Sequence, residues 1–379
     1  MITAGIVQGF YGIDEQNRGG VDLGFETGLS SLTYSESLDG SASFSLRCII
    51  SDWSVWDSIL RDGSQRSKIR WGITNENRVV WSDWRFVTFL SGKYIYNRQF
   101  AESFAAGADW GYMLNETFSS RSFSGQLISD IVEKIAEDHR FSHEVEKTSG
   151  RFTLYQTSLS DAEFIKFLCL PRAESVKKRT DYDFWFRNGE VLVFKPFVLG
   201  QTPRVTFSFR LSGANQPLVS ADTEEIVVEF NRMFLPENFG WNTVVDGFDP
   251  VYKRPLRFVA NDDTVYHTKL APVSPRIDQS RKWKKTSVIE PTAEEYDREN
   301  FFRMAKCKWS RNERKRFLLT IKSTPVIDIH PGELALLEVK DASGVDHYLG
   351  GVYLIYGVKQ VVKRGELSTY LYLERRESR

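Results

Sequence analysis

The chain has 379 residues, of which 41% are hydrophobic and 14% aromatic, and its 50 basic and 50 acidic side chains cancel. That length exceeds what one hydrophobic core usually serves, so about two to four domains are expected, and the balance of apolar and charged residues excludes a mainly disordered chain. Zero net charge excludes the strong positive field of a protein whose main task is sequestering nucleic acid. Cys48, Cys169 and Cys307 are odd in number, far apart and free of CxxC spacing, so each reads as a small core residue made in a reducing compartment. The N-terminus carries no basic n-region and no apolar run reaches the roughly 20 residues of a membrane span, so synthesis in the cytosol is expected.

Residues 25–115 read as β structure. Leu32 and Tyr34, then Phe44, Leu46 and Cys48, alternate with polar residues around the turn signal Leu38-Asp39-Gly40. Lys68–Thr74 and Arg78–Trp81 flank a second tight connection at Asn75-Glu76-Asn77. Arg85–Tyr96 and Ser103–Thr117 add aromatic-rich strands with Ser91-Gly92 between. Many short strands with regular turn signals predict a small barrel or sandwich.

Helical spacing takes over near residue 120. Leu127, Ile128, Ile131, Val132, Ile135 and Ala136 form one apolar stripe, with Ser124 as the expected N-cap. Phe152–Gln156 is the next expected strand. Ser160-Asp161-Ala162-Glu163 is a capping box opening a helix that buries Phe164, Ile165, Phe167 and Leu168 and is expected to stop at Pro171. Tyr182–Arg187, Asn188-Gly189 and Glu190–Lys195 form a hairpin, because Asn-Gly tolerates both positive-φ positions of the turn. Residues 118–200 are thus a small α/β unit.

Val205–Leu211 and Glu225–Phe230 return to β patterning, which 236–291 interrupts with turn signals such as Asp246-Gly247, Asp249-Pro250 and Ser274-Pro275. This stretch reads as an insertion with little core of its own. Its basic run, Arg281, Lys282, Trp283, Lys284 and Lys285, is the candidate partner-binding surface, although such runs are most often solvated faces. Thr292-Ala293-Glu294-Glu295 is a second capping box, opening a helix with Phe301, Met304, Ala305, Lys308 and Trp309 on one side. Phe317–Ile321, Glu333–Val339, Gly351–Val362 and Leu367–Leu373 are expected strands. The fold class is therefore mainly β with an α+β middle domain.

Chemistry-bearing motifs are scarce. His139 and His143 lie four apart, but His139 falls where the first helix ends and no Cys or acidic residue has matching spacing. The chain holds no GxSxG, HExxH, P-loop or GxGxxG pattern. Helix capping accounts for Asp161 and Glu163, and Asp262 and Asp263 lie in an expected loop without partners. No catalytic, cofactor or metal site is expected.

Three stretches resemble the baseplate hub family of contractile tails, which includes the hub subunits of T-even-like phages, the late control D proteins and the first part of type VI secretion spike proteins. Leu29 to Phe44 resembles the paired opening strands of that family's N-terminal barrel. Tyr155-Gln156-Thr157-Ser158, the helix from Ser160 to Leu168, Tyr182–Phe186 and Val191–Phe194 resemble its middle domain. Glu294 through Trp309, Pro331-Gly332-Glu333, Gly351-Val352-Tyr353 and Leu367–Leu373 resemble the helix and closing strands of its second barrel. The resemblance implies two related small β-barrels flanking the α/β domain: 1–117 the first barrel, 118–200 the middle domain, 201–235 with 292–379 the second barrel, and 236–291 an insertion. It implies a homotrimeric, non-enzymatic hub of six similar units, joining a six-fold tail tube to a three-fold spike. Its partners would be the tube protein, the spike protein and other baseplate proteins, with DNA only in transit through a channel. Trp53, Trp56, Trp81, Trp84 and Trp110 are candidate trimer anchors, with core burial the ordinary alternative. Two other classes compete: a tail-associated wall hydrolase and a peripheral carbohydrate- or receptor-binding tail protein.

Overall fold

The computed structural model describes residues 4–13, 16, 18–23, 28–38, 40–49, 61, 66–75, 78–96, 101–177, 179–180, 182–196, 202–210, 219–220, 223–229, 242–249, 254–261, 300, 303–304, 306–307, 318–341, 343–347, 349–363 and 365–378. It is mainly β. The first eight strands are β1 (Ala4–Tyr11), β2 (Val21–Asp22), β3 (Leu29–Ser37), β4 (Ser43–Ile49), β5 (Ser67–Asn75), β6 (Arg78–Trp81), β7 (Arg85–Tyr96) and β8 (Ala101–Asp109). Along β4 exposed and buried residues alternate strictly, so Phe44, Leu46 and Cys48 point inward as a period of two requires. They meet Val7, Leu32, Tyr34, Ile69, Trp71, Val87 and Phe89 in the first core, where Phe44 and Phe89 pack edge to face at 5.2 Å. Ser91-Gly92 does not separate strands. It lies inside β7, where the pairing with β8 shifts between Phe89 and Ser91, and a bulge absorbs the extra residue. The strand expected over Ser103–Thr117 ends at Asp109, and the chain turns into a 3₁₀ turn and a one-turn helix, α1 (Met113–Glu116).

The middle segment holds β9 (Arg121–Leu127), α2 (Ile128–Asp138), β10 (Ser142–Val145), β11 (Arg151–Gln156), α3 (Asp161–Phe164), β12 (Tyr182–Arg187) and β13 (Val191–Pro196). The apolar stripe Ile128, Ile131, Val132, Ile135 and Ala136 is buried against Phe123, Phe152, Leu154, Phe164 and Phe194. Ser124 is not the N-cap. It sits within β9, which pairs with β11, and the helix starts later, with Leu127 at the capping position. Positive φ at Gly125 lets the strand bend toward that start. The capping box at Ser160 and Glu163 is present with both reciprocal bonds. The helical run continues past Phe164 as a π turn and a 3₁₀ turn and ends at Arg172, one residue beyond Pro171.

The remaining strands are β14 (Val205–Arg210), β15 (Val219–Ser220), β16 (Thr223–Glu229), β17 (Asn242–Asp249), β18 (Arg254–Asn261), β19 (Leu318–Ser323), β20 (Leu334–Lys340), β21 (Gly351–Lys363) and β22 (Glu366–Ser378). Within the stretch read as an insertion, β17 and β18 pair as a hairpin. The capping box at Thr292 lies outside the described residues. Asn300, Arg303, Met304, Lys306 and Cys307 are helical, and Met304 and Cys307 are fully buried.

One 15-stranded sheet joins both β regions, in the order β15-β14-β20-β21-β3-β4-β8-β7-β5-β1-β2, with β22, β19 and β16 branching from β21 and β6 from β5. The join is the hairpin of β21 and β22. The first part of β21 pairs with β20, and Gly357–Lys363 pairs with Ser31–Ser37 of β3. At the hairpin tip Gly365 accepts a backbone hydrogen bond from Gly5 N. Val362 and Leu367 therefore belong to the first core, while Tyr353, Ile355, Val358, Leu371 and Leu373 belong to a second core with Phe207, Leu319 and Ile321. The cores thus cross the segment boundary drawn from the sequence at 292–379. Each fully buried side chain of this kind contributes about 1.5–3 kcal/mol, so the tip is a structural part of the first region.

Candidate functional site

The three regions meet at one place, half apolar and half polar. In the apolar half, Leu38 from the first region, Trp185 and Val193 from the middle, and Leu334 and Leu354 from the last form a small shared core. Leu38 N donates to Tyr356 O, and Gly40 forms an isolated bridge with Trp185. Gly332, at φ +90°, lets the Pro331-Gly332 turn lie flat on the Trp185 ring; a Cβ there would come within 2.5 Å of it.

The polar half is organised by Arg85, whose side chain is fully buried. Its Nη1 donates to Asn188 Oδ1 at 3.0 Å and to Asp83 O at 3.2 Å. Its Nη2 lies 3.5 Å from both His330 ring nitrogens, and its guanidinium stands over the Trp71 ring at 5.2 Å. His330 Nδ1 is 3.4 Å from Glu36 Oε1. The hairpin tip seats itself with its own backbone: Phe86 N donates to Asn188 O and Trp110 N to Gly189 O. A buried cation is tolerated only when paired, and here its partners come from the middle hairpin, the β19–β20 connection and the first region itself. Burial pushes the Asp109 carboxyl well above the ordinary carboxylate range, and the nearby Glu36 charge adds to this, against the hydrogen bond from Ala42 N. Burial likewise raises the Tyr34 hydroxyl, with Glu36 adding. This arrangement fixes the relative positions of three regions.

The residues singled out in the sequence fall in different places. Arg281, Lys282, Trp283, Lys284 and Lys285 lie outside the described residues, as do Trp53, Trp56, Asp262 and Asp263. His139 and His143 do not converge: His139 Nε2 is 2.7 Å from Asp161 Oδ2, while His143 Nδ1 lies 3.4 Å from Phe141 O. Asp161 is more than a first-turn acid. It is buried and also receives bonds from Arg121 Nη2 and from Gln156 Nε2 at 2.7 Å. A second buried ion cluster ties the helix around residue 303 to the middle region, with Arg303 Nε on Glu174 Oε2 at 3.0 Å and Lys306 on Oε1 at 3.4 Å. Trp81, Trp84 and Trp110 are partly exposed and each carries a cation: Arg70 lies between Trp81 and Trp84 at 4.4 and 4.3 Å, and Arg66 covers Trp110 at 3.6 Å. Among the described residues no group of three or more His, Cys, Asp and Glu side chains could hold a metal ion, and no helix is long and apolar enough to cross a membrane.

No family model and no curated protein matches the sequence. Solved structures do match the fold. The tail protein from Neisseria meningitidis MC58 is 15% identical, with a TM-score of 0.62, 98% of this chain covered and 96% of that one. The 43 kDa tail protein of prophage MuSo2 from Shewanella oneidensis is 10% identical, with a TM-score of 0.60 and 98% of each chain covered. The prophage tail protein gp18 from Listeria monocytogenes EGD-e is 10% identical, with a TM-score of 0.53 and coverage of 97% and 94%. At these identities the likeness is one of fold, and it runs over nearly the whole of each chain.

Proposed function

We propose that this chain is a non-enzymatic structural subunit of a phage-type contractile tail, placed at the centre of the baseplate as its hub. The observation that carries the reading is the end-to-end likeness in fold to tail proteins, in which neither partner of the comparison has a large part left over. The junction around Arg85 supports it, since a part that transmits force between a tube and a spike needs its regions locked together. In this reading the two β regions are related barrels, 1–117 and 201–235 with 292–379, on either side of the α/β segment 118–200, with 236–291 as the insertion. Three copies close a ring of six similar units, and closed symmetry ends assembly at that size. One face of the ring meets the tube protein and the other the spike, with DNA crossing only in transit.

The test is mass and shape in solution. Light scattering of the purified chain at micromolar concentration is expected to give three times the 43.7 kDa chain mass, and negative-stain images a ring with a central channel. A monomer across that range, also when tube and spike proteins are added, overturns the hub reading.

A further inference from the structure

The outward face of β3, β4, β8 and β7 carries a groove of about 410 Å³, lined by Ser31, Ser45, Arg47, Ser91, Lys93 and Phe104 among others. Strand register explains its shape. One cross-strand row reads Lys363, Ser31, Arg47, Phe104 and Lys93 across β21, β3, β4, β8 and β7. The next row reads Val361, Thr33, Ser45, Ala106 and Ser91. The second row is short, so it forms a floor, and the long side chains of the first row stand beside it as a wall. Arg47 lies over the Phe104 ring at 5.1 Å and is held there by Glu102, at 2.6 Å.

The wall is cationic. Lys363, Arg47 and Lys93 occupy alternate strands, about 10 Å apart. Among the described carboxylates on this part of the sheet, Glu102 is taken by Arg47 and Glu366 stands opposite Lys363. Lys93 has no carboxylate within ion-pair distance among the described residues, nor has Lys359, which lies near the Tyr370 ring at 5.9 Å. Beyond the wall Ile49 and Ile95 expose 50 and 38% of their surface, and on the other side of the floor Leu90, at the β7 bulge, exposes 53%. Exposed large apolar groups beside Arg and an aromatic ring are the composition of a protein contact. A nucleic-acid site would instead lack the apolar rim and draw on a basic field that a neutral chain does not supply.

We propose that this groove is a docking site for an extended, acidic segment of a partner protein. Lys93 receives its carboxylates beside the Arg47–Glu102 pair, the hydroxyls of Ser31, Ser45 and Ser91 meet its backbone, and Ile49, Leu90 and Ile95 cover its apolar side chains. The assignment does not depend on the hub reading, because a monomer would present the same groove.

The probe is a short fluorescein-labelled peptide of glutamate and glycine, titrated with the full chain in a polarisation assay, beside a lysine–glycine peptide and a single-stranded oligothymidine. Saturable binding of the acidic peptide that weakens with salt is expected, and it should fall about tenfold or more in a Lys93→Glu variant. Lys93 is exposed and makes no ion pair among the described residues, so the melting temperature of that variant should stay at the wild-type value. A Leu90→Ser, Ile95→Ser variant tests the rim separately, with peptide in which leucine replaces glycine losing more affinity than the glycine form. No binding of the acidic peptide to the wild type, equal binding by the charge-reversed variant, or tighter binding of the oligothymidine would each overturn the proposal.

Discussion

Arg85 collects partners from stretches of chain 103 and 245 residues away, and no local pattern around it announces that role. Removing it leaves Asn188 Oδ1 and Asp83 O without their buried donor. Arg85→Met is therefore expected to cost about 1–3 kcal/mol, measured by urea unfolding, while Arg85→Lys restores part of the loss because it keeps a donor but not the planar fork. Asp161 teaches the same lesson. Beside a capping box its carboxylate reads as a first-turn acid, yet Arg121 and His139 reach it from 40 and 22 residues away. Burial by itself would raise this carboxyl, but the hydrogen bonds from His139 and Gln156 and the charge of Arg121 outweigh it and hold its pKa below the ordinary carboxylate value. A carboxylate with a depressed folded pKa stabilises above its unfolded pKa and loses that contribution as pH falls through the folded one. Stability should accordingly drop on acidification from about pH 4 downward, and Asp161→Asn should be less stable at pH 7 with a flatter acid slope in thermal melts.

Elements encoded by residues close together in the chain are legible in the sequence alone. The turn signals at Leu38-Asp39-Gly40, Asn75-Glu76-Asn77 and Asn188-Gly189 each join strands that do pair, because turn chemistry is local. Ser124 misleads because a capping residue and a strand residue look alike until β11 is seen to hold β9 extended. The Asn188-Gly189 turn carries a second duty that its sequence does not reveal. Gly189 sits at φ +81°, and a Cβ there would meet Phe86 O at 2.3 Å, so the turn must be bare as well as left-handed to seat against β7. Gly189→Ala is expected to cost about 2 kcal/mol or more, the sum of strain and displaced contact, measured as a lowered urea midpoint. Ser160→Ala removes the cap of the helical run from Asp161 to Arg172 without touching its packing, so it should cost about 1 kcal/mol and leave the solution mass unchanged in light scattering.

For the molecule as a whole, the mainly β class and the helical interlude are readable from periodicity, whereas the strand that unites the β regions is not. Nothing in Gly351–Lys363 says that its two ends pair with β20 and with β3, since a partner 320 residues distant leaves no mark on local pattern. A core-thinning change at the shared hairpin should be felt on both sides. Val362→Ala is expected to shift one common unfolding transition, reported alike by tryptophan fluorescence and far-ultraviolet circular dichroism, and not to split off the first region. Replacing Arg281, Lys282, Lys284 and Lys285 by serine should leave melting nearly unchanged, within about 0.5 kcal/mol per site, as for a solvated face; under the proposed hub function a contact role would show instead as weaker binding to neighbouring tail proteins in pull-downs at low salt.

The hairpin that closes the first sheet also sets a clock. During translation β3 finds β4 at once, but its other edge emerges long before the β21 residues that pair with it, and at about 5–20 residues per second that wait is roughly 15–60 s. Through that interval the nascent chain exposes a strand edge capable of mispairing, a hazard that its serine-rich composition blunts. The pairings of β3 with β4, β4 with β8 and β5 with β1 can form early, but the outer edge of β3 is covered only when Gly357–Lys363 have left the ribosome, so a prematurely terminated chain keeps that edge open. The topology thus makes covering that edge one of the last events in the chain's synthesis.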